Sequence, residues 1–287
     1  MMNYMNHVSK MTGRRLLGGG ALLMLSALFS LCNVSYASPI KTTVELPLQG
    51  VTLEYKADVR MLQVLDDANS SFNANSGIGY FPLSAQLFDK ANTEAIEAKK
   101  RNVLNQLEAF AIEEPEANLV RQQLTSFQYL NRVFIELDRN AVISQSDKNP
   151  LLVSSSNLEQ SLNLKKTSAT QARTQRFSLY LPQRPTSIQL MGAMKESVTM
   201  NLIEHGTLND YLDAFPNGFI GESADKSVVY VVQPDGVVQT IQFAYWNEQP
   251  VYLAPGAIVF MAFYSLPSEY STLNQDIVDL LRHKVGL

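Results

Sequence analysis

Cysteine is all but absent from the chain: Cys32 is the only one in 287 residues. A structural zinc site built on cysteine is therefore excluded, and no intramolecular disulfide can form. Histidine is nearly as scarce. His7 lies near the N-terminus, and neither His205 nor His283 has a partner at metal-ligand spacing. No G-x-S-x-G or H-E-x-x-H pattern occurs, and Gly77-Ile78-Gly79 lacks the third glycine of a dinucleotide-binding loop. Asp66-Asp67, Glu113-Glu114 and Asp138 resemble glycosidase carboxylates only in residue type, because they fall at helix ends and turns where acids are solvated. The expectation is a protein with no catalytic residues, no cofactor and no metal. Positive charge is also in short supply, with 23 basic against 27 acidic side chains and a net of −4. Without a basic cluster, nucleic acid is not an expected partner.

The one long apolar run is Leu16 to Leu31. Three basic residues and no acid precede it, and Val34-Ser35-Tyr36-Ala37 then Ser38-Pro39 follow, the layout of a cleavable secretory signal over residues 1–37. The run is shorter than the roughly 20 residues of a spanning helix and is weakened by Gly18 to Gly20. Three other readings are an uncleaved anchor, a lipoprotein signal at Cys32 and a twin-arginine signal at Arg14-Arg15. Leu31 is too large for the second, and Gly13 with no cofactor motif argues against the third. Cleavage after Ala37 removes Lys10, Arg14 and Arg15, leaving 20 basic against 27 acidic residues, a net of −7. The expected address is the periplasm, for a protein stabilised by its core alone.

Beyond the signal, Thr42 to Pro47 and Val51 to Tyr55 alternate as two strands around Gln49-Gly50, and Met61, Leu62 and Leu65 mark a short helix broken at Asp66 to Asn69. Residues 69–79 read as a loop. Strand, strand, helix is how a β-grasp domain begins. Ile96, Val103, Leu104, Leu107 and Phe110 then fall at helical spacing, as do Val120, Leu124 and Phe127, with Asn92 or Thr93 as cap and Pro115 between. This is a helical hairpin inserted at about residues 92–130. Arg132 to Asp138 returns to period two, with Ala141 to Ser144 expected to pair with it across Arg139-Asn140. A polar excursion, Ser154 to Thr174, leads to a strand at Arg176 to Leu181.

Pro182 to Pro185 marks the expected boundary between residues 38–182 and a second domain at 183–266. There Ser187 to Met191 and Ser197 to Leu202 are strands, and Thr207 caps a helix carrying Leu208, Tyr211, Leu212 and Phe215. Val228 to Val232 and Val237 to Phe243 form a hairpin around Gln233-Pro234-Asp235-Gly236, where proline fixes φ and glycine accepts the left-handed conformation. Ala257 to Phe263 is a further strand. The last segment, 267–287, holds an amphipathic helix at Ser271 to Lys284, opened by a Thr272/Gln275 capping box and apolar at Leu273, Ile277, Leu280 and Leu281. At ~1.5 Å per residue it is about 21 Å long, short of a hydrocarbon core, so it docks on its own domain or on a partner. The fold class expected is α+β: tandem β-grasp domains, a helical hairpin inserted in the first, and a C-terminal amphipathic helix.

Several stretches together carry a resemblance: Leu137-Asp138, Asn149-Pro150-Leu151-Leu152, Leu179-Tyr180-Leu181-Pro182, Pro234-Asp235-Gly236, Ala244-Tyr245-Trp246-Asn247, Pro255-Gly256 and Leu273 to Val278. In this order and spacing the chain resembles the GfcC-like family of periplasmic capsule biosynthesis proteins, related in domain plan to outer-membrane polysaccharide export channels of the Wza type. The resemblance implies two β-grasp domains and a role in assembly or export of capsule or exopolysaccharide, without recognised catalysis. It also implies a central pocket to which an arginine contributes. The family's Gly-Arg pair is matched here only in its arginine, by Asn131-Arg132.

Arg132 is thus the leading binding candidate, since a planar donor fork suits carboxylates and sugar hydroxyls. A structural role, capping carbonyls or pairing at a domain junction, is the competing reading. Tyr245 and Trp246 could stack on sugar rings or simply pack a strand end. Two functions remain open: an accessory protein contacting the export machinery and outer-membrane components, or a periplasmic glycan-binding or glycan-modifying protein with a pocket around Arg132.

Overall fold

The computed structural model describes residues 39–75, 79–91, 93–155, 174–214, 220–243 and 250–286. Tyr245 and Trp246, the segment 1–37, Asn92 and most of the polar excursion lie outside them. From Ser38 to Leu287 the chain forms one compact unit, mixed α+β, with two five-stranded sheets and six α-helices among the described residues.

The first sheet contains β1 (Thr42–Leu46), β2 (Val51–Tyr55), β3 (Gln86–Asp89), β4 (Asn131–Val133) and β5 (Gln175–Tyr180). The second contains β6 (Ser187–Gly192), β7 (Val198–Asn201), β8 (Ala224–Val232), β9 (Val238–Gln242) and β10 (Ile258–Phe263). Their orders, β2-β1-β5-β3-β4 and β7-β6-β10-β8-β9, are the same order twice. In each, the first and fifth strands pair in parallel and every other neighbour is antiparallel. The two halves differ between their third and fourth strands. The second half turns in Gln233 to Gly236, whereas the first inserts α2 (Thr93–Phe110) and α3 (Glu116–Ser126) there.

Helix α1 (Met61–Asn75) covers the first sheet, burying Met61, Val64 and Leu65 against Val44, Leu46, Phe177 and Leu179. It runs through the expected break at residues 66–69, where Asp66 pairs with Arg139, Asp67 accepts the Tyr55 hydroxyl and Ala68 is buried. Strand β3 was not expected; all four of its residues are buried, so it shows no alternation. Of the expected 132–138 strand only Arg132 and Val133 enter the ladder, together with Asn131 before them. Its supposed partner is instead helix α4 (Arg139–Ser144), because the Asp138 side chain accepts the Asn140 N–H as an N-cap.

In the second half, Thr207 and Asp210 form a capping box that starts α5 (Leu208–Asp213). Its Leu208 and Tyr211 pack on one face of the second sheet with Val229, Val231, Val259 and Met261. The opposite face, through Met191, Val232, Ile258 and Phe260, meets α2, α3 and α6 (Leu273–Leu281). Coverage on both faces explains the unbroken apolar run Ile258–Phe263. Helix α6 docks between this sheet and α2, with Leu273, Ile277, Val278, Leu280 and Leu281 buried. Its expected capping box is not made: Thr272 has helical backbone angles and its hydroxyl meets Asp276. The helix stops at Leu281, and the chain continues through a turn into a short bridged stretch, where the His283 carbonyl and Val285 N–H pair with Leu130 and Gln128.

Candidate functional site

The insertion brings β4 against three distant stretches. Arg132, in its middle, is 7% exposed. Its backbone N–H donates to His283 Nδ1 at 3.0 Å, and its guanidinium donates to the Pro234 carbonyl at 2.6 Å, with longer contacts to the carbonyls of Ala85 and Arg282. Arg282 in turn donates to the Gly236 carbonyl at 2.8 Å and lies over the Phe134 ring, 4.3 Å from its centre. His283 meets the same ring edge-on. The cluster joins the β8–β9 turn, β4 and the segment after α6.

The turn is built for this contact. The Gln233 carbonyl accepts the Gly236 N–H and the Gln233 N–H returns to Val237, with Gly236 at φ +88°. A Cβ at Gly236 would lie 2.5 Å from a ring carbon of Phe134, so this position needs glycine for its φ and for the close approach.

Burial sets the electrostatics. Desolvation pulls the Arg132 pKa down to about 10, against the opposing pull of Asp235, while Arg282 adds to the fall. Burial, with Lys99, Arg282 and Arg132 nearby, lowers His283 to about 4, although the Leu130 carbonyl favours its protonation. A neutral ring whose Nδ1 accepts the Arg132 N–H fits that environment and is not a base at neutral pH.

Beside the cluster opens a cleft of about 800 Å³. Arg132 to Asp138 form one wall, and Phe81 to Leu83, Ala85, Asp147, Lys148, Pro150 and Asp235 complete it. Its carboxylates are partly engaged. Glu136 accepts the N–H groups of Leu137 and Asp138 and pairs with Lys148, and Asp138 caps α4. Among the described residues no group of three or more His, Cys, Asp or Glu is placed to hold a metal ion. No described helix is long and apolar enough to cross a membrane.

Of the three residues singled out in the sequence, the structure places Arg132 at the cleft; Tyr245 and Trp246 lie outside the described residues. Its guanidinium is largely engaged by backbone carbonyls, the arrangement of a junction clamp. Sequence reading did not find Phe134, Arg282 and His283 as a group. The available signals, a solvent-phase aromatic in a period-two stretch and three cations after a helix, do not indicate that positions 151 residues apart touch.

Two family models match the chain: the N-terminal domain of the capsule biosynthesis protein GfcC over residues 40–158, and its C-terminal domain over residues 196–286. Uncharacterized protein YjbG of Escherichia coli strain K12 is 25% identical over 170 residues, which is 58% of this chain and 60% of that protein. The match thus spans less than two thirds of that relative. With both family domains present in order over most of its length, the chain belongs to the GfcC capsule biosynthesis family.

Proposed function

We propose that the chain is a periplasmic, non-catalytic accessory protein for assembly or export of capsule or exopolysaccharide, working through contact with the export machinery and its outer-membrane components. The observation that carries this is the pair of capsule biosynthesis domains covering residues 40–158 and 196–286. The twice-repeated strand order with its parallel central pair supports reading each half as a β-grasp domain, a plan shared with polysaccharide export channels. The signal at residues 1–37, cleaved after Ala37, supplies the address. Deletion of the gene should abolish or strongly reduce surface polysaccharide, and a plasmid copy should restore it. Unchanged surface polysaccharide in the deletion strain overturns the proposal.

A second reading, a glycan-binding or glycan-modifying pocket around Arg132, is favoured by the size of the cleft and by Phe81 and Phe134 in its walls. Binding of purified exopolysaccharide to the native protein and to Phe134→Ala and Arg132→Ala tests it. Absence of binding by the native protein ends this reading.

A further inference from the structure

The β3–β4 ladder ends at the Leu87 and Val133 pair. Beyond that point the chain keeps the in-and-out alternation of a strand. Val133, Ile135 and Leu137 face the core of the first half, whereas Phe134 between them is 42% exposed. Yet the N–H and C=O groups of Phe134, Ile135 and Glu136 have no hydrogen-bond partner among the described residues. Backbone groups alternate between the two edges of a strand, so those of Phe134 and Glu136 point with the Arg132 N–H to the edge away from β3, and beyond His283 that edge is unfilled.

This edge lies inside the cleft. All seven residues from Arg132 to Asp138 line it, so the cleft follows the strand lengthwise, over roughly 20 Å at the strand rise. Apolar side chains are available along it at Phe81, Leu83 and Phe134. Its charge is unbalanced. Glu136, Asp138, Asp147 and Asp235 stand against Arg132 and Lys148. Of these two cations, Arg132 is engaged by carbonyls and Lys148 by Glu136. Asp147 is exposed, with no ion pair or hydrogen bond among the described residues.

We propose that this cleft takes an extended, lysine- or arginine-bearing segment of a partner polypeptide, which adds as a strand beside Phe134 to Glu136 and lays an apolar side chain against Phe81, Leu83 and Phe134. A free backbone edge at strand spacing is satisfied by another peptide backbone and not by the scattered hydroxyls of a sugar chain. The surplus of carboxylates selects a cationic sequence and disfavours an acidic one. The inference rests on the reading of the protein as an accessory that contacts other proteins, and it names where one such contact is made.

The test uses the mature chain, isotope-labelled, and a ten-residue peptide alternating lysine with valine. Two controls are the glutamate–valine counterpart and a lysine–valine peptide N-methylated at every second residue. Maltohexaose is the glycan arm. The lysine peptide is expected to shift the Phe134 and Glu136 amide resonances and slow their hydrogen exchange. Affinity should fall at least tenfold for either control peptide and for Asp147→Lys, and severalfold for Phe134→Ala. Asp147 is exposed and unpartnered, so that variant should melt at the native temperature. Maltohexaose should leave the two amides unmoved. No peptide binding at millimolar concentration, equal binding of the N-methylated peptide, or tighter capture of maltohexaose at the same amides each overturns the proposal. If deletion of the gene still abolishes surface polysaccharide while no peptide binds, the assembly role stands and this contact falls.

Discussion

Replacing Arg132 separates the clamp reading from the ligand reading by the stability of the protein with no ligand present. Two opposing quantities are set by the structure. The net fall of its pKa to about 10, in which burial is the largest cause, corresponds, at ~1.4 kcal/mol per decade, to about 3 kcal/mol against the charged form. Against this stand a short charge-assisted bond to Pro234 and longer ones to Ala85 and Arg282, together with the buried stem. A hydrogen bond to a charged group contributes about 1.5–3 kcal/mol, and an orphaned buried carbonyl costs about 1–3 kcal/mol. Arg132→Ala removes every guanidinium donor and leaves a void, so a loss of about 2–4 kcal/mol is expected, or ~4–16 °C in melting temperature at ~2–4 °C per kcal/mol for this chain length. Arg132→Met fills the void and removes the charge, and should recover at least half of that loss. Urea unfolding of the three proteins measures both differences, and hydrogen exchange at Gly236 reports whether the β8–β9 turn has come away. An alanine variant within 0.5 kcal/mol of native, with the turn still protected, would refute the clamp and return Arg132 to the role of a ligand-facing side chain.

Other expectations rest on neighbouring contacts. His283 is neutral in the fold with a pKa near 4, below the ordinary imidazole value, so above pH ~6.5 neither state is protonated and stability is full. Between pH ~6.5 and 4 the unfolded chain takes up a proton that the folded chain refuses. Stability should therefore decline there by up to about 2–3 kcal/mol, and less steeply in His283→Asn; an imidazole resonance titrating above pH 6 in the folded protein contradicts this. Ile277→Ala in α6 should cost about 2–5 kcal/mol, and the Ile277 to Leu281 amides of the native protein should exchange slowly, since rapid exchange would mean that the helix leaves its seat. Gly236→Ala should lose about 1–3 kcal/mol, and adding Phe134→Ala should relieve the collision without relieving the positive φ, so a double variant as stable as native would falsify the account of the turn.

Much of the fold was legible because its elements carry one apolar face. The alternation of β1 and β2, the helical stripes of α2, α3 and α6, the Thr207 cap and the Pro234-Asp235-Gly236 turn are local patterns, and each reports a local conformation. Errors arose where burial or bonding depends on remote chain. Strand β3 is buried on both sides and only four residues long, so Gln86-Leu87-Phe88-Asp89 has no period to read. Residues 132–138 do alternate, but alternation records which side of the chain meets the core and not whether a neighbour is hydrogen-bonded to it. Ala141 to Ser144 looked like a strand because valine and isoleucine favour one, and the single Asp138 cap reverses that preference. Arg132 was legible as a special residue by resemblance, whereas its partners Pro234, Arg282 and His283 were not, because no local rule relates them.

The pairing of residues 128–132 with 283–285 also fixes the order in which the chain can fold. The Arg132 amide must wait for a histidine 151 residues downstream. At synthesis rates of about 5–20 residues per second that delay is roughly 8–30 s. Throughout it, the inner faces of α2 and α3 have neither the second sheet nor α6 to cover them. A chain so arranged is kept from early closure by its own topology, and the delay creates an interval in which a holding chaperone has apolar surface to grip.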